Sequence, residues 1–328
     1  MLNYAILGAG SIAKVMATTV NLMNEHGDDS VKLTGIASRS LDKAREFASL
    51  FNIPKAYGSY EELYNDESID LVYIATPHNF HYEQCKACLL HGKHVLCEKP
   101  FTVNARQAEE LLNLAQERKL LIAEGIWTRY QPMRKTINEV LASGIVGKPY
   151  LVTANLGYNI VAKERLISPQ LAGGALLDVG VYALNFANMI FGDAKEVLAC
   201  CVKNSSGVDM SNSITLTYED GLRMAVLNSS ALCLSDRFGM IACENGYLKI
   251  ENINNPQGLE VIDSNYEVVK SIKAEKQLTG FEYEVREVAQ TIVSGALECP
   301  SMTHERILYI MRLMDSIRAQ LNIRYPFE

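Results

Sequence analysis

Over the first 125 residues, short apolar runs alternate with longer amphipathic stretches. Residues 2–7, 32–37, 71–75, 94–97 and 120–123 read as strands, with a weak short one at 56–57. Between them, 12–24, 41–51, 80–91 and 104–118 carry apolar residues at helical spacing. Strands alternating with helices of about 10–15 residues make βαβ units and a parallel sheet. The strand runs are nearly continuous in apolar residues, the pattern of strands buried on both faces.

Beyond residue 130 the texture changes. Residues 133–143 read as a helix closed by Gly144, 150–157 as a strand, and 178–191 as a helix ended by Gly192. Strand-like runs follow at 196–202, 213–218, 222–227, 237–243, 247–250, 259–261 and 266–271, with no helices between them. Turn signals such as Glu219-Asp220-Gly221 and Glu244-Asn245-Gly246 separate some of these runs, which indicates antiparallel pairing. Helices at 281–294 and 304–320 close the chain. The pattern predicts an α/β chain of two domains. Residues 1–125 form a doubly wound parallel sheet, and 126–328 an α+β domain on a largely antiparallel, open-faced sheet.

Composition acts by exclusion. A length of 328 residues suits two domains at roughly 100–200 residues each. With 31 Lys and Arg against 38 Asp and Glu the net charge is −7, which argues against a nucleic-acid partner. An apolar share of 48%, with 21 Gly and 9 Pro, excludes disordered and collagen-like character. No run approaches the roughly 18 apolar residues of a membrane span, and no signal-peptide pattern opens the chain. Eight scattered Cys read as reduced thiols in a cytoplasmic protein.

The first candidate chemistry lies at the end of the first strand. Gly8-Ala9-Gly10-Ser11-Ile12-Ala13 fits G-x-G-x-x-A between a strand and a helix. Gly8 permits the tight turn, Gly10 lets the backbone approach a pyrophosphate, and Ala13 allows close helix–strand packing. The free N–H groups and dipole of the helix start favour an anion there. A glycine turn in another α/β protein, or a methyltransferase loop, is the competing reading. The acidic residue expected about 20 residues on falls at Asp28 and Asp29. Both precede the second strand, whereas a ribose-reading group sits at its C-terminal end. That end reads Ser38-Arg39-Ser40, a guanidinium between two hydroxyls, which suits a phosphate dianion. NADP is favoured, with NAD as the alternative if Arg39 only stacks on adenine. The turn after the third clear strand, Thr76-Pro77-His78-Asn79-Phe80-His81, would pass near the same cofactor. His78, His81, Cys85 and Cys88 also resemble metal ligands, but no second pair has zinc-finger spacing and no metal is expected.

The second candidate is Lys99, in Cys97-Glu98-Lys99-Pro100 at the end of the strand over 94–97. A Lys there points toward the ligand crevice, where its ammonium can hold a substrate hydroxyl or give a proton to a carbonyl. Most lysines are merely solvated. Farther on, Asp178 and Tyr182 are four residues apart, hence neighbours on one helical face. A Tyr hydroxyl, with an ordinary pKa of about 10, becomes usable at neutral pH beside an ammonium such as that of Lys99. Asp178 can orient a polyol. The competing readings are an N-cap for Asp178 and core packing for Tyr182.

The glycine turn, the Thr76–His81 turn, the Glu98-Lys99-Pro100 segment and the two-domain layout together resemble the glucose–fructose oxidoreductase/inositol dehydrogenase (Gfo/Idh/MocA) family. The resemblance covers essentially the whole chain. Glu124-Gly125-Ile126-Trp127-Thr128-Arg129-Tyr130 and the run from Gly173 to Tyr182 are similar to its branch of dimeric dihydrodiol dehydrogenases and NADP-linked aldose (xylose) dehydrogenases. The resemblance implies a Rossmann domain and an NAD(P)-dependent hydride transfer on a sugar, cyclic polyol or trans-diol. It makes Lys99 the lysine beside the reacting carbon, Pro100 the residue after a cis peptide bond, and Tyr182 the acid–base group. Many members carry His at the Tyr182 position, so an inositol-dehydrogenase assignment does not follow. It places Glu98, Trp127 and Arg129 near the cofactor, and Trp127 also at the active-site mouth. Tyr158 and the loop 165–170 would line the outer substrate pocket. It also implies a homodimer through the C-terminal sheet. The rival readings are a nucleotide-binding sensor without turnover and an enzyme that recycles a tightly held cofactor.

Overall fold

The computed structural model describes residues 1–328. The chain divides into two compact units, Met1–Trp127 with Gln277–Leu308, and Thr128–Lys276 with Tyr309–Glu328. The expected partition was two contiguous segments divided after residue 125. The difference lies in residues 277–308, which return to the first unit.

In the first unit the order is β1 (Leu2–Leu7), α1 (Ser11–Glu25), β2 (Val31–Ala37), α2 (Leu41–Phe51), β3 (Lys55–Tyr57), α3 (Tyr60–Tyr64), β4 (Leu71–Ile74), α4 (His81–Leu90), β5 (His94–Glu98), α5 (Ala105–Arg118) and β6 (Ile122–Gly125). The strands pair in the order β3-β2-β1-β4-β5-β6, all parallel. β4 is buried throughout, as its unbroken apolar run requires, and β6 is buried throughout with Glu124 among its residues. Leu7 pairs with both Ala37 and Ile74, and Ile74 with Cys97. The C-terminal ends of β1, β2, β4 and β5 therefore share one sheet edge. The strand order reverses between β1 and β4, the switch point where doubly wound sheets bind ligands.

The second unit holds α6 (Pro132–Ala142), β7 (Pro149–Gly157), α7 (Glu164–Ile167) and α8 (Val181–Phe191), with a π-helical turn over Leu176–Gly180 leading into α8. Seven strands follow: β8 (Glu196–Lys203), β9 (Asp209–Thr217), β10 (Met224–Ser230), β11 (Gly239–Cys243), β12 (Gly246–Glu251), β13 (Gly258–Asp263) and β14 (Val268–Lys273). With β7 they make an eight-stranded sheet ordered β14-β13-β12-β11-β7-β10-β9-β8. Pairing is antiparallel except between β7 and β10.

The alternation of the strands separates the two faces of this sheet. Ile214, Leu227, Ala154, Ile250 and Leu259 form one buried row, over which α8 packs. A Cβ on Gly239, in that row, would stand 2.7 Å from the Phe186 ring, so the glycine makes room for an α8 side chain. Phe186 is 1% exposed, a burial that stabilises by about 1.5–3 kcal/mol. The opposite face exposes Leu198, Cys200 and Val202, and carries a cavity of about 430 Å³ whose lining includes Ser213, Asn228 and Cys233.

α9 (Glu282–Val293) packs against α1 of the first unit, and α10 (His304–Gln320) follows it. Asp28 is ion-paired to Arg286 of α9 at 2.5 Å. The acidic residue that counting from Gly8 selects is thus a structural tie. Burial works to raise its carboxyl pKa, but hydrogen bonds from Arg286 and Ser30 outweigh this and hold it below the ordinary value. One stretch, Pro169–Phe191, is long and apolar enough on average to cross a membrane by length and composition, although Asp178, Asn185 and Asn188 interrupt its apolar residues. Of its apolar window 89% is buried inside the protein, as α8 forms the core of its unit.

Candidate active site

Gly8 has φ 105°, and a Cβ there would lie 2.7 Å from the Ala75 carbonyl oxygen, so only glycine fits. Gly10 is different. Its backbone is extended, and a Cβ would meet nothing of the protein closer than 4.0 Å. The space it leaves open lies at the start of α1, whose N-terminus has no side-chain cap and no acidic residue in its first turn. The N–H groups of Ser11, Ile12 and Ala13 belong to that first turn, which favours an anion. A dinucleotide pyrophosphate fits this cradle.

At the end of β2, Ser38 is buried and Arg39 exposed. The Ser38 N–H donates to Tyr57 O, and Ser40 caps α2 by accepting from the Lys43 N–H. Ser40 is therefore committed to its helix, while the Arg39 guanidinium stands at the strand end. No carboxylate occupies residues 38–40. Beyond β4, Thr76 Oγ1 bonds Gln84 at 2.5 Å, Pro77 is half-buried, and Asn79 Oδ1 is buried without a partner, a free acceptor in this turn. His81 is fully buried, with Nδ1 2.9 Å from Pro100 O and Nε2 2.9 Å from Thr76 O. Burial pushes its pKa below the ordinary histidine value against the pull of those carbonyls. Its ring ties the Thr76 turn to the turn after Lys99, a structural task in place of the expected cofactor contact.

Lys99 is half-buried, and the Lys99–Pro100 peptide bond is cis. Three buried side chains fix this turn. Glu98 accepts from the Tyr73 hydroxyl with Oε1 and from the Lys99 N–H with Oε2 (3.2 Å), Glu124 accepts from the Phe101 N–H (3.0 Å), and His81 meets Pro100 O. The expected cofactor residue Glu98 is 8% exposed and spends its carboxylate on this scaffold. Trp127 stacks on Phe281, with ring centroids 4.3 Å apart and planes at 14°.

In the second unit Asp178 lies in the π turn and Tyr182 one residue into α8; both are nearly buried. The simple i, i+4 relation assumed from sequence is therefore modified, because a π turn is wider than an α turn and shifts the helical register. Asp178 is not a helix cap. Its carboxylate takes a fork from Arg165, at 2.7 Å from NH1 and 3.5 Å from NH2. Tyr158 accepts from Asn254 Nδ2 at 3.1 Å, and the Arg237 guanidinium lies 5.9 Å from its ring. Arg129, expected near the nicotinamide, is 4% exposed and donates to Asn185 and Asn188 of α8. It is a buried strut of its unit, because α8 offers two amide oxygens that satisfy a guanidinium.

Comparisons with known proteins fit this geometry. Residues 2–126 match the family described as "Oxidoreductase family, NAD-binding Rossmann fold", and residues 135–249 match the "GFO/IDH/MocA C-terminal domain". The trans-1,2-dihydrobenzene-1,2-diol dehydrogenase of Xenopus tropicalis is 34% identical over 302 residues, covering 90% of this chain and 91% of that protein. The chain belongs to the Gfo/Idh/MocA oxidoreductase family. The Bos taurus diol dehydrogenase is 31% identical, covering 99% of this chain and 98% of its own. Among solved structures, a 3-ketoreductase of Actinomadura kijaniata in complex with NADP and TDP-benzene superposes with a TM-score of 0.87 at 25% identity, covering 97% of each chain. A levoglucosan dehydrogenase shares the fold, with a TM-score of 0.86 at 16% identity and 98% and 97% coverage.

Gly8 and Gly10 have the conformations that the glycine motif requires, a tight turn at positive φ and an open extended residue before α1. Sequence reading missed Tyr73, Phe281, Arg165 as the partner of Asp178, and Glu284. Only a three-dimensional neighbour gives each of these its role. Glu284, on α9, is fully buried, and neither carboxyl oxygen has a partner. A Cβ on Gly125 would stand 3.7 Å from its Oε1, which places it beside the end of β6. Burial first, and then the charge of Glu98, raise its pKa well above 4.5. The neighbouring phenols of Tyr4 and Tyr73 are raised as well, so neither offsets the two acids.

A raised folded-state pKa gives a stabilising contribution that is complete below the unfolded value and lost as pH rises toward the folded one. Glu284→Gln removes the titration. Its thermal midpoint, compared with wild type from pH 4.5 to pH 8, should gain on wild type as pH rises, from a start near the ordinary value of 4.5. A difference that stays constant over that range contradicts this assignment.

Proposed function

We propose that this chain is an NADP-preferring oxidoreductase that moves a hydride between nicotinamide and the hydroxyl-bearing carbon of a sugar, cyclic polyol or trans-diol. The observation that carries the reading is the sheet edge of the first unit. There the open Gly10 cradle after β1, the Thr76 turn after β4 and Lys99 after β5 stand on successive strands, about 5 Å apart. The names of the similar proteins, diol dehydrogenases, a 3-ketoreductase and a levoglucosan dehydrogenase, support the substrate class.

Bound NADP supplies a nicotinamide that exchanges hydride at C4. Gly8, Gly10 and the α1 start would hold the pyrophosphate, and Arg39 would meet the 2′-phosphate by charge-assisted hydrogen bonding. In the oxidation direction the substrate carbon gives up its hydride and the hydroxyl gives up its proton. The family resemblance assigns Lys99 the ammonium that favours the deprotonated hydroxyl and Tyr182 the group that accepts the proton. Asp178, held by Arg165, orients the neighbouring hydroxyls, and Trp127 and Tyr158 offer ring faces to the substrate.

Two further properties belong to the same proposal. The uncovered sheet face, with Leu198 at 69% and Val202 at 61% exposure, is the surface of a homodimer. The eight cysteines, none of them in a disulfide, suit a reducing compartment, the cytoplasm.

The direct test is absorbance at 340 nm with a panel of aldoses, inositols and trans-diols, using NADP and NAD in parallel. Turnover with at least one class, faster with NADP, is expected; no change with any of them overturns the reading. Lys99→Ala should lower kcat by about 10²–10⁴-fold while NADP affinity holds. Undiminished turnover would remove Lys99 from the mechanism. Arg39→Ala should raise KM for NADP by roughly 10–100-fold and leave NAD nearly unchanged. Equal effects on both cofactors would count against 2′-phosphate recognition. Sedimentation at micromolar concentration should give a dimer, and a particle of monomer mass alone rejects the interface.

A further inference from the structure

Asp209 opens β9 and is fully buried, yet no sequence motif singled it out. Its Oδ2 accepts from the Leu176 N–H at 2.7 Å and from Asn212 Nδ2 at 3.1 Å. Asn212 is held in turn by Ser229 Oγ of β10, 2.6 Å from its Oδ1. Leu176 is the first residue of the π turn, two before Asp178 and six before Tyr182. A buried carboxylate on the sheet thus grips the backbone where the segment carrying both side chains begins. That bond satisfies one of the N–H groups that a helix start leaves without a partner.

The glycine pair before the turn fits the same purpose. Gly174 has φ 131°, and a Cβ there would stand 2.2 Å from Asp209 Oδ1, so any side chain would drive the carboxylate away. A Cβ on Gly173 would lie 2.7 Å from the carbonyl oxygens of Arg165 and Leu166, and the Tyr325 hydroxyl donates to Gly173 O at 2.9 Å. One glycine admits the Asp209 carboxylate, and the other admits the backbone of the residue that pairs with Asp178.

We propose that Asp209 is a positioning residue for the reaction: by holding the Leu176 N–H it fixes the start of the π turn, and with it the places of Asp178 and Tyr182. The proposal rests on the oxidoreductase reading for its effect on rate, but not for its effect on the turn. A displacement on the order of 1 Å at a reacting group costs about 10²-fold in rate.

The test compares Asp209→Ala and Asp209→Asn in the full-length chain by steady-state kinetics and by amide hydrogen exchange. Asn keeps a carbonyl oxygen for Leu176, whereas Ala does not. Asp209→Ala should lower kcat by roughly 10²-fold, leave substrate KM and NADP affinity within about threefold, and speed exchange in peptides covering residues 174–182. Asp209→Asn should restore most of kcat and the slow exchange. Undiminished kcat in Asp209→Ala, an Asn variant as impaired as Ala, or exchange raised evenly over the whole unit would overturn the proposal. Should Asp209→Ala fail to fold, Asn212→Ala removes only the second donor and should shift both readouts in the same direction; no shift then rejects the proposal. If wild type turns over no sugar or diol, the oxidoreductase reading fails. Exchange over 174–182 then decides alone whether Asp209 holds the turn.

Discussion

Strand β1 meets β4 so closely at its end that a Cβ on Gly8 would strike the Ala75 carbonyl. That contact joins strands separated in the chain by β2 and β3, and much of the first unit follows from it. The sheet reverses its strand order there, α1 begins at the crevice, and its unpaired N–H groups face the opening. β5 then takes the place beside β4, which brings Lys99 to the same edge. A glycine without room for a methyl group is thus the geometric condition for both the anion cradle and the neighbouring ammonium.

Around that edge, buried polar groups act on the backbone. Glu98, Glu124 and His81 each hold a backbone N–H or carbonyl of the turn that carries Lys99. In the second unit Arg165 fixes the Asp178 carboxylate, and Arg129 braces α8 through two asparagines. Such networks stabilise only when every member is satisfied. Glu284 breaks that rule, with two buried oxygens unmatched, and it does so next to the Lys99 segment. Local departures of this kind concentrate near functional sites, where position outweighs stability.

The first sheet was legible because its signals are local: unbroken apolar strands, a helical period between them, and a glycine turn at the first junction. α2 and α10 match their predicted limits, and most other elements lie within a few residues of them. What sequence did not show depends on contacts between distant positions. Arg129 sits in an aromatic motif, and nothing local says that its guanidinium turns inward to Asn185 and Asn188. The helix at 281–294 was recognised, but its return to the first unit, with Phe281 against Trp127 and Arg286 against Asp28, is a tertiary fact. Asp178 and Tyr182 were read on an ideal α-helix, and the π turn between them leaves no mark in residue type.

That π turn also links chemistry to folding through helical frame. A residue in α8 advances about 100° around the axis, so one residue fewer in Leu176–Gly180 would swing every later side chain by more than a quarter turn. Tyr182 would lose its direction. Asn185 and Asn188 would leave Arg129 at the same moment, and Phe186 would leave the gap above Gly239. An error of length there disrupts the core together with the candidate acid–base residue, so a chain that reaches this fold already carries Tyr182 in frame.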